Sequence, residues 1–171
     1  MMLKSFAEAG AILRRQDYLD AAISNAKFLL TNMRPAGRLL RTYRNGESKL
    51  SGYLEDYAFL ADALLSLYES TFNLDWLSEA TELVNEMILL FWDEDLGGFY
   101  DTGVDHEELI IRPRDLFDNA QPCGGSIAAG LLLRLALMTG NEDYETIAGE
   151  SMRPLNALMT RAPGGTAQWL A

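Results

Sequence analysis

The sequence predicts an all-α protein built from three helical hairpins, and three observations carry that prediction. A unit of one helix, a tight link and a second helix opening at a polar residue plus an aromatic one occurs three times. It is seen around Asp17-Tyr18, Asp75-Trp76 and Asp143-Tyr144, at unequal spacing. A fixed unit with variable spacing is the pattern of a hairpin array with elaborated loops. The apolar residues recur at helical period within each unit. Finally, the links fall into two length classes, short within a hairpin and long between hairpins.

The hairpins are expected at about residues 1–32, 52–91 and 126–159, forming a single domain over residues 1–171. In each, the first (A) helix covers Met1–Leu13, Gly52–Ser70 and Ser126–Met138, and the second (B) helix Asp17–Asn32, Leu74–Phe91 and Glu142–Met159. Ala7, Ala9, Gly10 and Ala11 are small enough to let another helix approach closely. Leu77, Ala80, Val84, Met87 and Phe91 form one stripe, with Glu79, Glu82 and Glu86 turned away. Only Arg134 is charged between Ile127 and Met138, so the third A helix is expected to be buried nearly all round. The A helices thus read as an inner layer and the B helices as an outer one. The links from A to B should be about 3 to 5 residues, with Asp17, Asn73 and Asn141 as N-caps.

The long links, Met33 to Ser51 and Trp92 to Gly125, carry the rest of the signal. Helix alternation puts them all at one rim, with the N-termini of the A helices. Arg38 to Arg44, and Phe99 to Thr102 paired with Leu109 to Arg112, read as short strands, with Gly97-Gly98 as a turn. Structured loops on one rim of a helical scaffold are where sites are built.

Composition narrows the function classes. The 171 residues are 49% apolar and carry a net charge of −11, from 14 basic and 25 acidic side chains. No basic stripe interrupts that balance, which argues against nucleic acid or an anionic membrane as partner. Cys123 is the single cysteine, so there is no internal disulfide, and a reducing, cytoplasmic location is expected. No apolar run approaches the ~18 residues of a membrane span. His106 is the one histidine, in an acidic loop, which leaves too few ligands for a His/Cys zinc site, and no cofactor is indicated.

Several segments resemble a known family. Arg38-Leu-Leu-Arg-Thr-Tyr-Arg-Asn-Gly, Leu54-Glu-Asp-Tyr-Ala-Phe-Leu, Phe91-Trp-Asp-Glu-Asp-Leu-Gly-Gly-Phe-Tyr-Asp-Thr, Ile111-Arg-Pro-Arg-Asp and Asp118-Asn-Ala-Gln-Pro-Cys-Gly-Gly-Ser-Ile-Ala-Ala appear in order along the chain. Together they are similar to the C-terminal region of the thioredoxin-domain-containing proteins of unknown function, the bacterial YyaL-like and animal spermatogenesis-associated proteins. The resemblance implies a fold like that of the six-hairpin glycosidases and sugar 2-epimerases, an α/α toroid, of which three hairpins make half. Nothing here corresponds to the family's N-terminal thioredoxin-like domain. The chain is expected to begin within a longer first A helix and to stop just after Gly164-Gly165. Where relatives read Pro-Ser-Gly-Asn-Ser, this sequence reads Pro122-Cys-Gly-Gly-Ser. If that asparagine contacts a ligand, Gly125 cannot replace it.

The candidate site residues all fall on the rim. Asp56 and Asp118 open or precede A helices, and the resemblance makes them the acid and base of a sugar-processing site, the pair that glycoside hydrolysis requires. The alternative is that carboxylates in a first turn are held by the helix dipole and neighbouring arginines. Glu55, Tyr53 and Trp92 would line the site, the aromatic rings stacking on a sugar or, alternatively, anchoring the loops on helix ends. Arg38, Arg41, Arg44, Arg112 and Arg114 form a local basic concentration. It would either grip a carboxylate or phosphate or neutralise the rim acids. Cys123, beside a helix N-terminus where a thiolate is favoured, lacks a nearby base and reads as filler. The bare N–H groups after it are a weak anion signal.

Two functions follow. One is a domain that binds or processes a sugar-like ligand, and the other a non-catalytic domain that packs on the thioredoxin-like domain. Epimerase chemistry fits less well, because the toroid epimerases use histidines as acid and base and His106 does not fall at a helix rim position. An open half-toroid would expose Leu131 and Leu135, so self-association through that edge is expected.

Overall fold

The computed structural model describes residues 1–107 and 110–171. The described residues form seven α-helices and two small antiparallel hairpins: α1 (Met2–Leu13), α2 (Gln16–Asn32), β1 (Leu40–Arg44), β2 (Glu47–Ser51), α3 (Leu54–Thr71), α4 (Leu74–Phe91), β3 (Trp92–Asp93), β4 (Gly98–Phe99), α5 (Gly124–Thr139), α6 (Glu142–Met152) and α7 (Asn156–Arg161). The fold is all-α with short β-hairpins, as the periodicity predicts.

The chain divides into two compact units, Met1–Gly52 with Phe59–Leu83, and Tyr53–Ala58 with Val84–Ala171. In the first unit α1 packs on α2. Gly10 makes that approach possible, since a Cβ there would come within 2.8 Å of Leu19 Cγ and 3.0 Å of the Leu19 nitrogen. Lys4 of α1 donates to the buried Asp62 of α3 at 2.9 Å, and Ser70 Oγ donates to the Ala7 carbonyl. Arg34, largely buried after α2, ties that loop to α4 through Glu79 at 3.0 Å and Glu82 at 3.5 Å. The β1–β2 hairpin turns at Asn45-Gly46, both at positive φ (53° and 83°), the backbone that a two-residue hairpin turn of matching twist requires.

In the second unit α5 packs on α6, and Tyr144 of α6 donates its hydroxyl to Asn85 Oδ1 of α4 at 2.7 Å. Tyr57, fully buried, packs edge-on against Phe91 and donates to Glu86 Oε1 at 2.7 Å. A separate cluster of Cys123, Ala129, Leu155 and Trp169 closes the C-terminal end, with Leu116 and Met152 against it.

Several expectations are corrected. The links within hairpins are two residues each (residues 14–15, 72–73 and 140–141), shorter than expected. Left-handed residues at Arg14, Phe72 and Gly140 (φ 52°, 55° and 72°) end the helices that abruptly. Asn73 and Asn141 cap their helices, each accepting from the N–H two residues on. Asp17 does not cap: α2 starts earlier, from Arg15, and Asp17 in its first turn accepts from the Arg15 guanidinium at 2.8 and 2.7 Å. The last B helix stops at Met152. Pro154 has no N–H, and its ring clashes with a continuing helix, so a 3₁₀ turn over Arg153–Leu155 intervenes before α7.

Glu86 is not turned away but is half-buried under Tyr57. The α5 helix is buried all round only in its first half. Leu131 and Leu135 are covered, whereas Leu133 and Leu137 are exposed, Leu137 at 88%. The helix most nearly buried all round is α3, where each residue from Leu60 to Leu67 is buried. The strand after Gly97 pairs backward with Trp92-Asp93. Residues 110–112 are not strand, and Leu109 lies outside the described residues.

Candidate functional site

The sequence-predicted site residues fall into both units. Arg41 and Arg44 lie exposed on the β1–β2 hairpin of the first unit. Tyr53, Glu55, Asp56, Trp92, Arg112, Arg114 and Asp118 belong to the second, and there the structure brings several together around the first turn of α3.

That first turn is fixed from outside. The Leu54 N–H donates to the Asp101 carbonyl at 2.9 Å, and Asp56 Oδ2 reaches back to accept the Tyr53 N–H at 2.9 Å. This is the returning half of a capping box, with an acidic residue three positions after the cap. Glu55 Oε2 accepts from Gln121 Nε2 at 3.2 Å. Tyr53 lies against the ring of His106 at 5.2 Å between centroids. His106 Nδ1 accepts from the Gly103 N–H at 2.9 Å, which leaves Nε2 as the protonated nitrogen of the neutral ring.

Asp101 is the titrating group of this cluster. Burial raises its carboxyl from the ordinary 3.8 to about 6, and the charges of Asp115 and Glu55 add to the rise, while the Asp115 N–H, bonded to Asp101 Oδ2 at 2.8 Å, opposes it. Asp101 is absent from the sequence-based candidates because it lies in a segment read as strand. His106 is absent because a lone histidine in an acidic loop has too few companion ligands for a zinc site and does not fall at a helix rim position in the sequence. An aspartate directly following two aromatic residues was the available signal for the first.

The arginines hold backbone. Arg114 Nη2 donates to the Gly98 carbonyl at 2.9 Å, and Arg112 Nη2 donates to the carbonyls of Leu90 and Thr102. Both guanidiniums lie over the ring of Tyr100, at 4.0 Å for Arg112 and 4.5 Å for Arg114. The Tyr100 hydroxyl donates to Asp93, which raises the phenol and holds the Asp93 carboxyl below its usual range. Trp92 packs edge-on against Phe99 across the β3–β4 pair at 5.0 Å. It therefore anchors the hairpin.

Asp118 has both oxygens occupied. Oδ1 accepts from the Cys123 N–H at 3.0 Å and from Ser126 Oγ at 3.1 Å, and Oδ2 accepts from the Gln168 N–H at 2.8 Å. The Asp118 N–H in turn donates to the Gly165 carbonyl. The carboxylate thereby joins the N-terminus of α5 to the C-terminal segment. Cys123 is buried, and burial raises its thiol, contrary to the thiolate that a helix N-terminus favours. Gly125 faces Trp169, where a Cβ would come within 3.1 Å of the indole. Among the described residues no group of His, Cys, Asp and Glu is placed to hold a metal ion, and no helix is long and apolar enough to cross a membrane.

The chain is similar to spermatogenesis-associated protein 20. It is 36% identical over 155 residues to the protein of Rattus norvegicus and 35% identical to that of Homo sapiens; each alignment covers 84% of this chain. An uncharacterized protein of Caenorhabditis elegans is 29% identical over 154 residues. The chain spans about a fifth of the length of the curated relatives it matches. No protein-family model matches it. This similarity agrees with the resemblance that the motifs carry.

The raised Asp101 gives a pH prediction. Its folded pKa is about 6 against 3.8 in the unfolded chain, so the protonated form stabilises the fold fully below pH ~4. That contribution is lost as pH rises through about 4 to 6. Asp101→Asn is expected to match the parent at pH 4 and to be more stable at pH 7.5, by on the order of 1 kcal/mol after the screening of a partly exposed group. Thermal unfolding at the two pH values measures it.

Proposed function

We propose that this chain is a non-catalytic helical-hairpin segment of a larger protein, contributing part of an α/α toroid and packing surface for neighbouring domains. The observation that carries this reading is the use of the two rim aspartates. Asp118 is bonded by two backbone N–H groups and a serine hydroxyl, and Asp56 caps the first turn of α3. A general acid or base must reach a proton on the substrate. These carboxylates are instead engaged by the chain's own backbone. The resemblance names a thioredoxin-like domain as the neighbour. Self-association belongs to the same reading, with the exposed Leu133 and Leu137 in place of the buried Leu131 and Leu135; light scattering would detect it.

A second reading, a sugar-like ligand handled at the α3 end, is favoured by one observation. A carboxyl raised to about 6, Asp101, lies within electrostatic reach of Glu55. One carboxyl raised by burial, with a second carboxyl close by, is an arrangement that acid–base work on a glycosidic bond can use.

Glu55→Gln in the full-length protein separates the readings, because glutamine removes the carboxylate but keeps an acceptor for Gln121 Nε2. The first reading expects any activity or ligand effect of the full-length protein to be retained within about twofold. A loss of about 100-fold or more, the scale of a removed acid or base, with unchanged thermal stability would overturn it.

A further inference from the structure

Apart from the α3 cluster, the second unit contains a solvent-connected cavity of about 80 Å³, lined in part by Phe99, Arg114, Asp115, Ser151, Leu155 and Trp169. Its walls are built rather than incidental. The Trp169 indole donates to the Leu116 carbonyl at 3.1 Å, which fixes the ring, and Gly125 leaves it room. The Asp118 latch holds the neighbouring Gln168 backbone.

The polar groups on the wall define what it can accept. Arg114 has Nη2 bonded to the Gly98 carbonyl and 3.8 Å from Asp93, while its Nη1 donates to nothing among the described residues. Ser151 Oγ gives its hydrogen to the Ala148 carbonyl at 2.7 Å and keeps its lone pairs. Asp115 Oδ1 accepts the Phe117 N–H, leaving Oδ2 as an acceptor. The lining thus offers a donor and acceptors, and its one guanidinium is balanced by Asp115 on the wall and Asp93 behind. Neither an anion nor a cation gains from such a balance. A polyol would bury several hydroxyls among Phe99, Leu155 and Trp169 with too few partners, and each unpaired one is costly.

We infer that this cavity binds a small secondary amide, its carbonyl accepting from Arg114, its N–H donating to Asp115 or Ser151, and its methyl groups against Phe99, Leu155 and Trp169. A cavity of this size takes a handful of heavy atoms, so the affinity expected for an amide fragment is about millimolar.

The test titrates the protein with N-methylacetamide, acetate and methylammonium while following the tryptophan indole ¹H–¹⁵N signals, with that of Trp169 assigned from its loss in Trp169→Phe. The Trp169 signal is expected to shift saturably with N-methylacetamide alone, and that of Trp76 to show no saturable shift. Arg114→Lys, which keeps the charge but removes the planar fork, is expected to weaken binding at least fivefold. Ser151→Leu, which fills the cavity, is expected to abolish it. Absence of saturation by N-methylacetamide up to about 100 mM, equal saturation by acetate or methylammonium, or unchanged affinity in folded Arg114→Lys overturns the assignment. If both variants fail to fold, the three-ligand comparison on the parent protein decides it alone.

Discussion

Asp118→Ala is expected to destabilise the protein by about 4 kcal/mol. Two hydrogen bonds to the carboxylate are lost outright, from the Cys123 and Gln168 N–H groups, together with the share of the Ser126 Oγ hydrogen that does not go to the Cys123 carbonyl. Bonds to a charged acceptor contribute about 1.5–3 kcal/mol each, and they are not additive when they share one group. A carboxylate beside the start of α5 adds a further 0.3–1 kcal/mol or so from the helix dipole. The N-cap residue Cys123 provides no side-chain acceptor of its own, so nothing in the loop replaces the lost one. At this chain length the loss corresponds to a fall in Tm of roughly 10 °C. Asp118→Asn should fall between, at about 2 kcal/mol, because one amide oxygen remains but its NH₂ group confronts a donor. Calorimetry gives the stability, and hydrogen exchange at the Gln168 amide gives the locality, since that amide should lose protection first. A loss below about 1 kcal/mol in the alanine variant would mean that the carboxylate does not latch the C-terminal segment.

The residues show why the helices were legible in the sequence and the site was not. Helix phase is local: α4 runs from Leu74 to Phe91 because its apolar stripe and the Asn73 cap are written within those residues. The break after Met152 was also written locally, in Pro154, but the apolar positions Leu155, Leu158 and Met159 continue the helical spacing across it and mask it. The β3–β4 pair is two residues a side, too short to show alternation, and its partner lies on the near side of Gly97 rather than the far side. The role of Asp118 depends on Gln168, fifty positions away, and no period or spacing connects them. Likewise Asp101 becomes unusual only when burial and the charges of Asp115 and Glu55 surround it. Aspartate at a helix start was the right place to look for Asp56, but capping and catalysis call for the same residue type there, and only the Tyr53 N–H distinguishes them.

Gly124→Ala is expected to cost about 2–3 kcal/mol, against the usual sign for this exchange in a helix. Alanine is intrinsically better than glycine by about 1 kcal/mol in a helix interior, and less at a first position such as this. The added Cβ, however, would lie 3.0 Å from the Glu55 nitrogen, 3.0 Å from Leu54 Cγ and 3.2 Å from the Glu55 Cα. Two of these atoms are backbone of the first turn of α3, and that turn is itself held by the bond from the Leu54 N–H to the Asp101 carbonyl. A side-chain end could rotate aside, whereas this backbone moves only if the two helix starts separate, and overpacking of that kind costs about 1–3 kcal/mol. The same helix provides the control. A Cβ on Gly130 meets nothing within 4 Å, so Gly130→Ala should stabilise by up to about 1 kcal/mol through helix propensity and a less flexible unfolded chain. Opposite signs for the two variants in chemical denaturation would establish that α5 starts against the α3 backbone. Equal stabilisation would mean that the two helix starts do not meet as described, and the Tyr53–Glu55–Asp101 cluster would lose its frame with them.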